Sequence, residues 1–139
     1  MNVFYRDSNH VYRARPLDDF EWLVHGFGTR EAAPPAGVAT LKQIHSTTCV
    51  TAEGRSGVLG EGDALLENRS GCAVAVKTAD CIPVLLVDVR RRAVAAVHAG
   101  WRGTAAGIAA AAAEAMTRQF ATRPEDLRAV VGPGIGPCC

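Results

Sequence analysis

Ile82-Pro83-Val84-Leu85-Leu86-Val87 is an apolar run of strand length with no polar interruption. Continuous runs of this kind are typical of strands that are buried on both faces. Three arginines at positions 90–92 follow it, and a second apolar run occupies residues 93–97. We therefore predict two central, buried strands joined by a hairpin whose tip places the arginines in solvent.

Other apolar segments extend the predicted sheet on either side of this hairpin. Residues 72–76 form another continuous run, and residues 129–131 read Ala-Val-Val, so both are predicted as buried, central strands. Less regular segments are predicted as further strands over residues 44–52 and 64–66, and residues 24–30 as a short strand that runs into a glycine-containing loop. The strands thus come mainly before the helical part of the chain.

The pattern changes to helix over residues 104–120. Apolar side chains recur there at spacings of three and four, which gives a single apolar stripe; its members are Ile108, Ala112, Ala115, Met116 and Phe120. Thr122-Arg123-Pro124-Glu125 has the form of a capping box that opens a short second helix. Strands, then a helix, then a strand indicate an α+β fold with a mixed sheet.

Composition limits the class of protein. The chain has 139 residues, 48% of them hydrophobic and 21% charged, which suits one globular domain with its own core. The net charge of +1 indicates neither a nucleic-acid nor a membrane partner. The N-terminus lacks the apolar stretch of a signal peptide, and the five cysteines form a poor disulfide framework. A cytoplasmic location is the simplest interpretation.

Three residues with metal-ligand chemistry lie at the ends of predicted strands. They are His45, Cys81 and His98, and two imidazoles with one thiolate are a natural ligand set for Zn²⁺ that leaves a fourth position open. Singly, each has an ordinary alternative, because a free cysteine is often a small core residue and a strand histidine often has a structural role. We expect the three side chains to converge on one point if the site is real.

Two arginines and one carboxylate are candidates for anion binding and acid–base chemistry beside that site. Arg102 lies in Gly100–Thr104, which leads into the helix and suits an anion, and Arg30 follows a glycine-rich segment. Alternatively, Arg102 is solvated and Trp101 covers the core. Asp80 precedes Cys81, where it could act as a general base, orient a ligand or cap the loop.

Taken together, these segments resemble the YfiH-like family, also called laccase-domain or multicopper polyphenol oxidoreductase proteins, some of which are described as purine nucleoside phosphorylases. The resemblance covers nearly the whole chain, and the Thr-Ala-Asp-Cys and His-Ala-Gly-Trp-Arg-Gly motifs are its most specific parts. The matching segments are residues 25–30, 42–46, 62–65, 77–84, 98–104 and 131–139.

The resemblance implies an α+β layered sandwich with a mixed β-sheet, shared with a group of cysteine-hydrolase-like proteins. It implies zinc bound by His45, Cys81 and His98, with Arg30 as the loop arginine. Family members continue beyond Cys138-Cys139, so we expect residues 1–139 to be a single domain that is truncated at its C-terminus. An uncovered apolar face or edge should then lie near the ligands.

Three chemistries remain open at this point. The resemblance favours phosphorolysis of purine nucleosides (adenosine, inosine, guanosine, methylthioadenosine) together with adenosine deamination, with nucleoside and phosphate as partners. Amide hydrolysis of a cell-wall precursor by Cys81 and His98 is the second, and copper-dependent phenol oxidation the third, although four histidines are too few for a trinuclear copper cluster. The predicted catalytic residues are Asp80, Cys81 and His98, and the predicted substrate or phosphate ligands are Arg30, Gln43 and Arg102. The oligomeric state is not indicated.

Overall fold

The computed structural model describes residues 2–134. The chain divides into two compact units, Met1–Ala36 and Gly37–Cys139. The single domain expected from the sequence stays a prediction. The Cys138-Cys139 pair and the end of the preceding glycine–proline turn lie outside the described residues. Within residues 2–134, no helix combines the length and the apolar content that crossing a membrane requires.

The first unit is a small antiparallel sheet of three strands. These are β1 (Phe4–Arg6), β2 (Val11–Ala14) and β3 (Phe27–Gly28), in the order β1-β2-β3. The short strand predicted within residues 24–30 is present as β3, which has two residues. Its small core includes Phe27, whose ring meets that of Phe4 edge to face at 5.9 Å between centroids.

The second unit contains a two-stranded and a five-stranded sheet. Parallel strands β4 (Ala39–Lys42) and β6 (Gly57–Glu61) form the smaller one. The larger has the order β10-β8-β9-β7-β5, and its strands are β5 (Cys49–Thr51), β7 (Ala64–Glu67), β8 (Ile82–Asp88), β9 (Ala93–Ala99) and β10 (Leu127–Val131). Only the β5–β7 pair in it is parallel, so the sheet is mixed and the α+β class is confirmed.

The predicted central hairpin is present. Strands β8 and β9 pair antiparallel from Ile82 opposite Ala99 to Asp88 opposite Ala93. The arginines 90–92 are exposed at its tip, where one oxygen of the Asp88 carboxylate accepts hydrogen bonds from the backbone N–H groups of Arg90 and Arg91. The apolar runs and the charged turn were thus sufficient to place these two strands.

Three strand predictions are wrong in part. Residues 72–76 form no strand: their backbone exchanges two hydrogen bonds with Ala39, which leaves an isolated bridge at Val74, and Cys72 N donates to Arg69 O. Residues 44–48 leave the predicted strand as a loop, and only Cys49–Thr51 pairs. Strand β10 lies at the sheet edge rather than at its centre, with Val130 buried and Val131 59% exposed.

The predicted single helix is two helices. Helix α1 (Trp101–Ala106) ends at Gly107, which has a φ of 85°, and helix α2 (Ile108–Phe120) begins directly after it. The predicted stripe is confirmed in α2, which buries Ile108, Ala112, Ala115 and Met116. They join a core formed with residues of β7, β8 and β9. The predicted capping box is wrong: residues 124–126 form a 3₁₀ turn without a side-chain cap.

Candidate metal centre

The structure brings His45, Cys81 and His98 together, as expected from the sequence. One potential ligand atom from each lies within 4.8 Å of those of the other two. His98 is in β9 and Cys81 directly precedes β8, and the register of the hairpin places Ile82 opposite Ala99 at this end. His45 arrives from the loop between β4 and β5. The open end of the central hairpin therefore positions two ligands, and a separate loop adds the third.

Gly100 provides the space in which these groups meet. A Cβ atom at this position would lie 3.2 Å from Cys81 Sγ and 3.1 Å from His45 Cδ2. The two imidazole rings are 5.1 Å apart between centroids, at 72°. His98 is buried, Cys81 is half-buried and His45 is exposed, so the cluster is open toward solvent on the His45 side.

Asp63 links the two histidine ligands. It directly precedes β7 and is fully buried, and one of its oxygens lies 2.8 Å from His98 Nδ1. The same carboxylate accepts hydrogen bonds from the loop that carries His45; the donors are the backbone N–H groups of Ile44, His45 and Ser46 and the Ser46 hydroxyl. With Nδ1 engaged by Asp63, Nε2 is the nitrogen that His98 has left for a ligand.

The Asp63 carboxylate stays ionised at neutral pH. Burial raises its pKa, but the hydrogen bonds from Ser46, His98 and Ile44 outweigh that effect and lower the pKa to about 2. A carboxylate that is charged and fully hydrogen-bonded is a strong acceptor. It can therefore hold its donors in fixed positions.

A second polar contact joins the loop of His45 to the segment that leads to Cys81. The side-chain amide of Gln43 donates to Lys77 O and accepts from Lys77 N, both at 2.7 Å. Both polar atoms of the Gln43 side chain are thus engaged by backbone. Its predicted role in binding substrate stays a prediction, while its structural contact is clear.

The other predicted site residues occupy simpler settings. Asp80 is exposed in the bend before Cys81, and the carboxylate that orients His98 is Asp63 instead. Arg102 is exposed and lies over the Trp101 ring, 4.8 Å from its centroid. Trp101 is 75% exposed, so it is not a cover over the core. Arg30 belongs to the first unit, and its role stays a prediction.

Sequence reasoning missed Asp63 and the steric role of Gly100. Asp63 precedes three apolar residues at the start of a buried strand, and an acidic residue in that position was the available signal. Its partners lie 17 to 35 positions away in the chain, and no local pattern indicates such contacts.

The residues present fit a metal ion of borderline or soft character. Two imidazoles and one sulfur atom suit zinc with an open coordination position, and the same set suits copper. The Asp63–His98 contact matches the usual arrangement in which a ligating histidine bonds a carboxylate through its other nitrogen. Fold and site together define an α+β protein with a group of three residues that could hold a metal ion.

The family is shown by sequence comparison. Residues 25–139 match the model of the multi-copper polyphenol oxidoreductase laccase family, and the chain belongs to this family. The resemblance inferred from the motifs is therefore confirmed.

Individual relatives carry more specific names. The chain is 40% identical over 103 residues to purine nucleoside phosphorylase YfiH of Shigella flexneri, which covers 74% of this chain and 41% of that protein. It is 47% identical over 77 residues to adenosine deaminase RL5 of an unknown prokaryotic organism, covering 55% of this chain and 29% of that one.

Solved structures agree with the fold. The crystal structure of YfiH from Bacillus licheniformis has a TM-score of 0.66 at 36% identity, covering 73% of this chain and 41% of that chain. This chain thus spans about two fifths of the length of the YfiH proteins it matches.

Proposed function

We propose that the protein is a zinc-dependent purine nucleoside enzyme that cleaves nucleosides with phosphate and deaminates adenosine. The observation that carries the proposal is the convergence of His45, Cys81 and His98 within 4.8 Å. The names of the relatives, a purine nucleoside phosphorylase and an adenosine deaminase, support the substrate class.

Each residue has a defined task in this proposal. His45, Cys81 and His98 hold the zinc ion, which when bound supplies Lewis-acid polarisation and lowers the pKa of coordinated water. Asp63 keeps His98 in the orientation that presents Nε2. Asp80, exposed beside Cys81, is the candidate proton acceptor.

Binding of the substrates is assigned to residues outside the ligand set. Arg30 and Arg102 are the candidate phosphate ligands, because a guanidinium group matches the geometry of phosphate oxygens. Gln43 is the third candidate, with its amide already bonded to Lys77. Nucleoside and phosphate are the only partners that the proposal requires.

Amide hydrolysis is the second candidate function, and one observation favours it. The order Cys81, His98, Asp63 resembles a nucleophile, a base and an orienting carboxylate, with His98 Nδ1 on the Asp63 side. His45 has no task in that chemistry, whereas it completes a metal site. A sulfur atom committed to a metal is also a poor nucleophile.

Metal analysis combined with a product assay distinguishes these functions. The purified protein should contain about one zinc per chain and convert adenosine to adenine only when phosphate is present, and to inosine without it. Cys81→Ser should lose the zinc and both activities, because a serine hydroxyl is a poor zinc ligand at neutral pH. Amide hydrolysis by the metal-free protein, abolished by a thiol-alkylating reagent, would instead support the amidase. Copper at one equivalent with phenol oxidation would support the third function.

Replacing Arg30 tests the phosphate site separately from the metal. Arg30→Ala should reduce phosphate-dependent cleavage while zinc content and phosphate-independent deamination stay unchanged. Arg92→Ala, at the exposed tip of the β8–β9 hairpin, is the matched control for loss of one arginine. Loss of zinc in Arg30→Ala would assign Arg30 a structural role.

A further inference from the structure

Asp63 accepts more hydrogen bonds than a loop cap at this position requires. One carboxylate oxygen contacts His45 N and His98 Nδ1, at 3.1 and 2.8 Å. The other accepts from Ile44 N, Ser46 N and Ser46 Oγ, at 3.3, 2.7 and 2.6 Å. One buried side chain therefore fixes a histidine from a strand and a histidine from a loop.

The loop that carries His45 needs such a partner. His45 has a φ of 59°, in the left-handed region that residues other than glycine adopt at an energetic cost. Its N–H and those of its two neighbours all point at the Asp63 carboxylate, so that successive backbone donors enclose one anion. The charge of Asp63 is what holds His45 in this conformation.

The backbone of Asp63 strengthens the link to His98. His98 N donates to Asp63 O at 2.7 Å, in addition to the contact between the two side chains. Asp63 itself is held at the start of β7, where its N–H donates to Thr48 O at 3.0 Å. The carboxylate is thus fixed by the sheet and is not free to follow the ligands.

We propose that Asp63 is a positioning residue that assembles the two histidine ligands before any metal binds. The inference rests on the proposed metal-dependent function and adds the cause of the ligand geometry. The Asp63 carboxylate engages His98 Nδ1, which leaves Nε2 as the ligand atom, and it holds the loop so that His45 faces Cys81.

The structure offers a matched control at the other end of the same strand. Glu67 is also a buried carboxylate, and it accepts backbone hydrogen bonds from Gly54, Asn68 and Arg69. None of its partners is a candidate metal ligand. Glu67→Gln and Asp63→Asn therefore remove one charge each from comparable hydrogen-bonded positions in β7 and its flank.

The first measurement is zinc affinity by competition with a chelator, in wild type and both variants. In Asp63→Asn, the side-chain NH₂ group would face hydrogen-bond donors and could not accept from them. Because the two histidines would then be held less well, we expect zinc affinity to fall by about 10–100-fold. Glu67→Gln should bind zinc as wild type does. Unchanged affinity in Asp63→Asn, or an equal loss in both variants, would overturn the proposal.

The second measurement uses metal-free wild-type protein and needs no variant. Nitrogen NMR of the imidazoles should show the His98 proton on Nδ1, and a proton found on Nε2 would overturn the proposal. If Asp63→Asn does not fold, zinc affinity is measured in Ser46→Ala instead. This variant removes one hydrogen-bond donor to the Asp63 carboxylate, and it should weaken zinc binding by less than the loss expected for Asp63→Asn. Wild-type zinc affinity in Ser46→Ala would count against the positioning role of Asp63. Absence of zinc binding in wild type with the Nδ1 tautomer present would contradict the proposed function and leave the positioning role supported.

Discussion

At position 100 the absence of a side chain has a specific chemical reason. Gly100 has a φ of −75°, which any residue adopts, so backbone freedom does not explain a glycine here. Its Cα instead faces the ligands, with Cys81 Sγ and His45 Cδ2 at 3.2 and 3.1 Å from where a Cβ would lie. Contacts this short force the neighbours to move.

Gly100→Ala should therefore weaken metal binding without disturbing the backbone. Overpacking by one methyl group costs about 1–3 kcal/mol, so we expect zinc affinity to fall by about tenfold or more. Chelator competition measures the change. Gly103→Ala is the control in the same segment, because its Cβ would contact Ile108 Cγ2 at 3.3 Å and Ser46 O at an ordinary 3.5 Å, but none of the three candidate ligands. Equal zinc affinity in Gly100→Ala and wild type would mean that the ligands do not close around this position.

The three residues that converge could be predicted from the sequence, but the residues that hold them in place could not. Histidine and cysteine at the ends of apolar runs are recognisable by residue type, and two of the three ligands come from the correctly predicted hairpin. Gln43 contacts Lys77, which is 34 positions away in the chain, and Asp63 contacts His98, which is 35 positions away. Such contacts depend on how loops fold back over the sheet, which residue type and local spacing do not encode.

Among the connecting segments, the Gln43–Lys77 contact imitates a pair of backbone hydrogen bonds. It ties the segment leading to Cys81 to the loop that carries His45, although residues 72–76 have almost no strand pairing of their own. The segment should therefore depend on this one side chain for its order.

Gln43→Ala should loosen the segment before Cys81. Two net hydrogen bonds are lost, each contributing about 0.5–1.5 kcal/mol. Hydrogen exchange followed by mass spectrometry should show faster exchange in peptides covering residues 74–80, with no change in the β8–β9 hairpin. Thr47→Ala, an exposed change in the same loop, is the control. Unchanged exchange in the Gln43 variant would show that other contacts hold the segment.

The break between the two helices depends on Gly107. With a φ of 85° it ends α1 and donates its N–H to Thr104 O, at 3.1 Å. A Cβ there would meet no atom within 4 Å, so only the backbone conformation opposes substitution. Gly107→Ala should lower the free energy of unfolding by about 1–2 kcal/mol in urea titrations. Gly107→Asn should lose less, because asparagine tolerates this conformation better, and equal stability of all three proteins would contradict the explanation.

Similar sequence patterns led to different structures in this fold. Residues 72–76 and 82–87 are both continuous apolar runs, but only the second has a neighbouring segment of equal length joined by a tight turn. Closing a hairpin involves a short loop, so the pairing of its two strands can be predicted from the local sequence. Pairing of residues 72–76 would have required a distant strand, and within residues 2–134 their strand pairing is limited to an isolated bridge with Ala39. Element type was thus predictable where pairing was local.

Across the second unit as a whole, buried carboxylates stand at the ends of the central strands. Asp63 directly precedes β7, and Glu67 is its last residue. Asp88 is the last residue of β8, at the opposite end of that strand from Cys81. Each accepts backbone N–H groups of an adjoining loop. The sheet thereby fixes its loops through hydrogen bonds to carboxylates as well as through packing, and stability should depend on Asp63 and Asp88, whose pKa values are lowered, remaining ionised.

Asp88, which lies away from the candidate metal ligands, allows a prediction of how the free energy of unfolding changes with pH. Burial raises its pKa, but the Thr122 hydroxyl and the N–H groups of Arg91 and Arg90 outweigh this and lower it below the usual 3.8. The folded protein then binds fewer protons than the unfolded chain, so the stabilisation is complete above about pH 3.8 and is lost as pH falls through the folded pKa.

Asp88→Asn should therefore reduce the free energy of unfolding at pH 7 and reduce its decline on acidification below pH 4. An amide cannot ionise, and its NH₂ group meets donors where the carboxylate accepted hydrogen bonds. Urea unfolding at a series of pH values in the presence of a chelator measures both effects independently of any metal. Asp80→Asn, at an exposed position, is the control and should change neither quantity. A variant whose stability falls with acid as steeply as that of wild type would show that Asp88 titrates with an ordinary pKa, and that the loop at the hairpin tip does not depend on its charge.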